Sequence, residues 1–251
     1  RMIVVAPTGV AAINANGVTI HSFFQLPLSP FVPESTVKPR FEYSKQKRQI
    51  MRTLDLLIID EISMVRADIL DAIDSILRRF REHNKPFGGV QLLMIGDLQQ
   101  LTPIVRPDEE KLLSRYYNTP YFFDSKALQS TQYVTIELTK VFRQQDKVFI
   151  DILNHFRDGH VSDEDFDILN KRYQPNFNPD KNSDYIHLTT HNRIADNIND
   201  RQLEQIKEQA YKFCARVEGQ FPENSYPADY ELTLKCGAQV MFIHNDRFER
   251  Y

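Results

Sequence analysis

The sequence predicts an α/β fold in which a parallel sheet is flanked by helices, and three observations carry that prediction. Short apolar runs read as strands over 2–6, 55–60, 90–96, 133–137 and 185–189. Amphipathic stretches between them read as helices over about 8–16, 44–53, 66–82, 147–158, 162–172 and 192–208. Strand and helix alternate, which is the signature of parallel strands joined by crossover helices. The chemistry-bearing residues then cluster just after strand ends, where an open α/β sheet presents its ligand crevice.

The helix over 66–82 is the clearest single element. Ile69, Ile73, Ile76, Leu77 and Phe80 recur on one face at helical spacing, with Arg78, Arg79 and Arg81 directed outward. Prolines at 27, 30, 33 and 39 make 26–40 an extended surface loop, as either irregular chain or a polyproline-type ligand. A second Pro- and Asn-rich stretch, 174–184, reads as another exposed connection. The pattern restarts near 131, so two domains are expected, 1–130 and 131–251. Near the end, 230–235 and 238–243 read as two strands joined at Cys236-Gly237.

Composition excludes several classes. The 251 residues are 41% hydrophobic and 26% charged, ordinary for a soluble domain. The longest apolar runs, such as Leu56 to Ile59, are too short to span a bilayer, so no membrane is expected. The two cysteines, Cys214 and Cys236, lack metal-ligand spacing, and a reducing compartment is the default. A net charge of -3 gives nucleic-acid binding no global support, so any such reading rests on local features. The basic run of Lys38, Arg40, Lys45, Lys47, Arg48 and Arg52 is one such feature, and also fits a solvated helix face.

Leu56-Leu57-Ile58-Ile59-Asp60-Glu61 is an apolar strand that ends in two carboxylates. Nucleotide hydrolysis needs one carboxylate for Mg²⁺ and a second group to orient or deprotonate water, which suits Asp60 and Glu61 respectively. A solvated acidic turn would look the same in isolation. However, a second strand ends in Gly96-Asp97-Leu98-Gln99-Gln100-Leu101. The Gln100 amide can sense a terminal phosphate and place water without adding negative charge. Two strands ending this way point to a nucleotide site.

Leu138-Thr139-Lys140-Val141-Phe142-Arg143-Gln144 sits at the expected domain boundary. An arginine there can reach a transferring phosphate from a second domain, or be an ordinary loop residue. Ala6-Pro7-Thr8-Gly9-Val10-Ala11-Ala12 leads a strand into a helix. Thr8 can meet a phosphate oxygen or simply cap the helix. Thr19-Ile20-His21-Ser22-Phe23-Phe24 adds polar and aromatic groups that suit single-stranded nucleic acid or a core. A phosphate-cradling loop needs Gly-Lys-Ser/Thr, and none of the eight glycines precedes a lysine.

In this order the segments resemble superfamily 1 DNA helicases of the petite-integration-frequency branch, relatives of the RecD subunit. The matching stretches are 6–12, 19–23, 60–64, 96–103, 138–144, 188–192 and 237–241. The resemblance implies a RecA-like P-loop NTPase domain over 1–130 and part of a second from 131. By that similarity Asp60 coordinates Mg²⁺, Glu61 activates water, Gln100 couples the γ-phosphate to DNA, and Arg143 is an arginine finger. Pro7, Thr8, His21 and Asn192 fall in segments that contact single-stranded DNA in the family. ATP and Mg²⁺ are the implied cofactors, and single-stranded and forked duplex DNA the implied partners of a monomeric, 5′-to-3′ motor. The implied location is the cytoplasm in a prokaryote, or the nucleus or mitochondria in a eukaryote.

The sequence departs from that family pattern in three places. The phosphate loop and a later His-x-Ser-Gln-Gly-type motif are absent from these residues, and His191 stands where Thr is expected. The chain therefore reads as a fragment of a motor, inactive by itself. Two competing readings are a translocase subunit of a nuclease complex and a non-enzymatic DNA-binding relic. The joint presence of Asp60, Glu61, Gln100 and Arg143 argues against the relic.

Overall fold

Parallel pairing organises the first half of the chain, as seen in a computed structural model that describes residues 1–32, 43–177, 185–217, 226 and 228–241. Strands β1 (Met2–Ala6), β2 (Val18–Thr19), β3 (Leu56–Ile59) and β4 (Gln91–Met94) form a four-stranded sheet in the order β2-β1-β3-β4. Every pairing in it is parallel, with Val5 opposite Ile59 and Ile59 opposite Met94. All the strands therefore end at one edge of the sheet.

Helices α1 (Gly9–Asn14), α2 (Ile20–Phe24), α3 (Lys45–Arg52) and α4 (Ala67–Phe80) accompany the sheet. α4 buries Ile69, Ile73, Ile76 and Leu77, with Phe80 half-buried, which matches the predicted face. Burying each such side chain stabilises the fold by about 1.5–3 kcal/mol. The arginines behave differently from expectation. Arg78 pairs with Asp74 at 2.7 Å, and Arg81 donates to the carbonyls of Gly88 and Arg52. Only Arg79 of the three is exposed to solvent.

Short helices α5 (Pro107–Leu113) and α6 (Lys126–Gln129) close this half. Asp71 of α4 anchors the closure. Its buried carboxylate accepts from Tyr117 Oη (2.7 Å), Ser125 Oγ (2.6 Å) and the backbone N–H groups of Lys126 (3.2 Å) and Ala127 (2.9 Å). Burial and the neighbouring Asp71 carboxylate push the Tyr117 phenol well above its ordinary pKa.

Among the described residues the chain divides into two compact units, 1–151 and 152–241. That division lies about twenty residues later than the expected boundary at 131. The helix α7 (Lys147–Asp158) runs across it. The second unit contains α8 (Asp163–Asn170), α9 (Asn192–Gln205) and an antiparallel pair, β5 (Ala210–Cys214) with β6 (Glu231–Lys235). Within it Asp165 accepts from the Ser162 N–H at 2.9 Å and meets His155 Nδ1 at 3.0 Å.

Several predicted strands are not strands. Residues 133–137 and 185–189 are irregular and pair with no strand among the described residues. Val134 and Ile136 are 87% and 79% exposed, and Ile186 and Leu188 are 84% and 94% exposed. An apolar run becomes a strand only when a neighbour accepts and donates its backbone hydrogen bonds. Residues 238–241 are also irregular, while 242–243 lie outside the described residues, as do Pro33, Lys38, Pro39, Arg40 and 178–184. Conversely, β2, α2, α5, α6 and β5 formed where no element was predicted. Cys214 and Cys236 are both free. No helix among the described residues is long and apolar enough to cross a membrane.

Candidate functional site

β1, β3 and β4 deliver their loops to the same sheet edge, and three groups of predicted residues meet there. Pro7 and Thr8 follow β1, Asp60 and Glu61 follow β3, and Gly96 to Gln100 follow β4. Backbone bonds hold the three exits in register. Asp60 N–H donates to the Val5 carbonyl at 2.9 Å, Ile95 N–H to the Ile59 carbonyl at 2.9 Å, and Ile62 N–H back to the Ile95 carbonyl at 2.8 Å.

The acidic turn is tightly wound. Glu61 adopts a left-handed conformation at φ 51°, uncommon for a residue with a Cβ, before a short 3-10 turn over Ile62–Met64. Asp60 Oδ1 accepts from the Glu61 N–H at 3.1 Å. Among the described residues Asp60 Oδ2 and both Glu61 carboxylate oxygens have no hydrogen-bond partner, and both side chains are half-buried. Ser63 is fully buried in the same turn, and its Oγ has no partner. A turn with two open carboxylates and an orphaned hydroxyl has the donor set for a hydrated divalent cation. Among the described residues no cluster of three or more His, Cys, Asp or Glu could hold a metal alone, so a cation here needs further ligands.

Gln100 is exposed, yet it is held. Its Nε2 donates to Asp97 Oδ2 at 2.9 Å, while Asp97 Oδ1 accepts from the Gln99 N–H at 3.1 Å. The Gln100 Oε1 is left available. Asp97 thus acts as the brace for the amide that the sequence singled out.

Beside these exits lies a cleft of about 180 Å³ lined by Pro7, Thr8, His21, Arg66 and the apolar Ile20, Leu28, Met64, Val65, Ile69 and Ile104. It brings together three of the four predicted DNA-contacting residues. Thr8 Oγ1 is engaged as the N-cap of α1, accepting from the Ala11 N–H at 3.2 Å. Thr19 caps α2 in the same way and so aims His21. Burial, and secondarily the positive charge of Arg66, lower the His21 pKa, with Asp68 opposing. This environment favours the neutral imidazole.

Arg66 was not foreseen. Its Nε and Nη2 grip both Asp68 oxygens at 2.8 Å, and Nη1 reaches Glu109 Oε2 at 2.9 Å. Asp68 also accepts from the Phe31 N–H at 3.0 Å, which ties the proline-rich loop to the cleft wall. The available signal was positional. Arg66 stands at the N-cap of α4, where the helix dipole disfavours a cation, and such a cation needs a carboxylate.

Arg143 and Asn192 are not brought into this site. Arg143 lies on an exposed irregular stretch in the first unit, on the near side of the division rather than beyond it. Asn192 begins α9 in the second unit and is exposed.

A family model described as PIF1-like helicase matches residues 1–167. The chain belongs to the PIF1-like helicases. It is 34% identical to the ATP-dependent DNA helicase PIF1 of Saccharomyces cerevisiae over 96% of its length, covering 28% of that protein. With the human PIF1 it shares 35% identity over 96% of its length, covering 36% of that protein. A Bacteroides Pif1 helicase solved with ADP-AlF3 and ssDNA matches all of the chain at a TM-score of 0.90 and 40% identity, over 58% of the solved chain. The chain thus spans about a third of the curated PIF1-like helicases it matches. At that identity and TM-score the match supports the expected RecA-like α/β fold, in keeping with the parallel sheet found here.

Proposed function

We propose that the protein carrying this chain is an ATP-dependent DNA helicase motor, moving 5′ to 3′ on single-stranded DNA and unwinding the duplex ahead. One observation carries the reading. The register of β1, β3 and β4 puts Asp60, Glu61 and Gln100 at the same sheet edge as the cleft of Pro7, Thr8 and His21. Nucleotide chemistry and strand contact then share one rigid set of strand ends, so a change at one is felt by the other. Named relatives are ATP-dependent DNA helicases, and solved relatives hold ADP-AlF3 with ssDNA or concern unwinding at forked dsDNA.

In this reading Asp60 would hold Mg²⁺, which would neutralise charge on the nucleotide's phosphates. Glu61 takes a proton from the attacking water or fixes its orientation. ATP supplies the γ-phosphoryl group whose transfer to water drives movement. Gln100, braced by Asp97, keeps its Oε1 available to sense a phosphate-bound water. Arg143 neutralises charge on that phosphate when its exposed segment closes. Pro7, Thr8, His21 and Asn192 contact the strand, with neutral His21 acting by hydrogen bonding or stacking. The working unit is a monomer. The isolated 251-residue chain, which lacks a Gly-Lys-Ser/Thr loop, turns over no ATP.

The test is steady-state ATP hydrolysis by the full-length protein, with and without single-stranded DNA. DNA should stimulate turnover, and Glu61→Gln should lower it by about 10²–10⁴-fold while nucleotide still binds. Turnover indifferent to DNA, or untouched by Glu61→Gln, would overturn the proposal.

A further inference from the structure

The nucleotide edge and the cleft leave one charged element without a role. In its eight residues α3 carries Lys45, Lys47, Arg48 and Arg52 and no acidic residue. Lys47 is spent inside the fold. Its Nζ donates to the Ser22 carbonyl at 2.7 Å and lies 5.5 Å from the Phe23 ring centroid. Tyr43, just before α3, donates to the Phe24 carbonyl at 2.6 Å. These contacts fix α3 against α2, the helix that carries His21 into the cleft.

The other three cations are exposed, and their side chains make no ion pair or hydrogen bond among the described residues. They recur at i, i+3 and i+7, which places them in one stripe about 60° wide and about 10 Å long. Arg81 donates to the Arg52 carbonyl at 2.9 Å and extends the positive charge past the end of α3.

This arrangement is unfavourable for the helix itself. Lys45 and Arg48 lie at the start of α3, where the dipole's positive end disfavours a cation, and only Arg52, in the last turn, is favourably placed. The like-charge spacings from Lys45 to Arg48 and from Arg48 to Arg52 add mutual repulsion along the same face. The chain is net acidic at -3, so the stripe does not follow from general basicity. A polyanion laid along it would relieve both penalties.

We infer that Lys45, Arg48 and Arg52 form a docking surface for the phosphodiester backbone of DNA outside the cleft. The inference rests on the DNA-motor reading above. The backbone is the continuation of the strand held in the cleft, because α3 is fixed against α2, which carries His21 into that cleft. Three in-line cations beside α2 meet it by phosphate contact with release of counterions.

The experiment uses the full-length protein and its Lys45→Gln/Arg48→Gln/Arg52→Gln variant. Glutamine keeps helix propensity close to that of Lys and Arg, so the thermal midpoint should be unchanged or higher. Affinity for a short single strand and for a forked duplex is measured between about 50 and 200 mM salt. The slope of log K against log salt should shrink by about 2 on both DNAs, as single-strand phosphate contacts are lost. Binding to both DNAs should weaken on the order of ten-fold or more, while DNA-independent ATP hydrolysis is unchanged. A change on both DNAs supports the held strand, and a change on the fork alone would assign the duplex instead and overturn this inference.

A charge-preserving Lys45→Arg/Arg48→Lys/Arg52→Lys variant should bind like the wild type. If the triple glutamine variant does not fold, Arg48→Gln alone should shrink the slope by about 0.7. Unchanged affinity and slope on both DNAs, with wild-type binding intact, would overturn this inference alone. Failure of the wild type to bind either DNA would overturn the motor reading as well.

Discussion

The N–H of Ile62 donates to the carbonyl of Ile95 at 2.8 Å, joining the acidic turn to the end of β4. Gly96 makes that approach possible. A Cβ there would stand 2.9 Å from Ile62 Cγ2 and 3.0 Å from the backbone nitrogens of Ile62 and Ser63. Backbone cannot yield as a flexible side chain can. Gly96→Ala should therefore destabilise the fold by about 1–3 kcal/mol, the usual cost of overpacking. It should also depress ATP hydrolysis in the full-length protein, because Asp60, Glu61 and Gln100 lose their common register. Urea denaturation and turnover measured together check this, and a fully active, fully stable variant would contradict it.

What the sequence disclosed follows from which signals are local. β1, β3 and α4 were legible because each buries residues whose spacing is written in the local sequence, as in Ile69, Ile73, Ile76 and Leu77, and the half-buried β4 because its apolar run is continuous. The placement of Asp60, Glu61 and Gln100 at one sheet edge was legible because a strand's end is visible in sequence. Arg66 was not, because its partners Asp68 and Glu109 lie two and forty-three residues away and only folding joins them. The runs at 133–137 and 185–189 misled for the opposite reason. Their composition is strand-like, but pairing is non-local, and no partner strand is present among the described residues.

Asp71 illustrates a buried carboxylate whose value is wholly in its hydrogen bonds. Asp71→Ala strands the Tyr117 and Ser125 hydroxyls and two backbone N–H groups at the start of α6. The expected loss is about 3 kcal/mol, or a fall in Tm of about 6–12 °C. Tyr117→Phe removes one donor and leaves three, and should cost about 1 kcal/mol. Calorimetry on both variants checks the order. Equal losses would mean that Asp71 does not organise this closure.

Arg143 offers a test of chemistry against binding. The residue lies on an exposed stretch and touches nothing at the acidic turn. If the stretch closes only on bound nucleotide, Arg143→Ala should leave nucleotide affinity nearly intact and lower DNA-stimulated kcat by about 10³–10⁵-fold. Arg143→Lys should rescue poorly, since a point charge cannot reproduce a planar fork. The readout is kcat and KM measured separately in the full-length protein. A raised KM with unchanged kcat would make Arg143 a binding residue.

His21 should confer a pH dependence whose sign can be worked out. Burial in the cleft, followed by the Arg66 charge, lowers its folded-state pKa below the ordinary 6.5. As pH falls through 6.5 the unfolded chain takes up a proton at this position and the folded chain does not. Stability therefore declines with falling pH from about 6.5, and the decline ends once pH passes the folded pKa. His21→Gln keeps a polar group of similar reach but cannot titrate, so this part of the pH profile should flatten. Asp165 acts in a separate window, since its folded pKa is lowered, by the Ser162 N–H and then His155, from an already acidic value. Its contribution is present above the usual carboxylate range and is lost only as pH falls through it, so the two residues can be read apart. Chemical denaturation at intervals from pH 7.5 to pH 5, with the histidine ring proton followed by NMR, gives both the slope and the pKa; an unchanged slope in His21→Gln, or a ring that titrates at or above 6.5 without DNA, would show that the cleft does not hold a neutral imidazole.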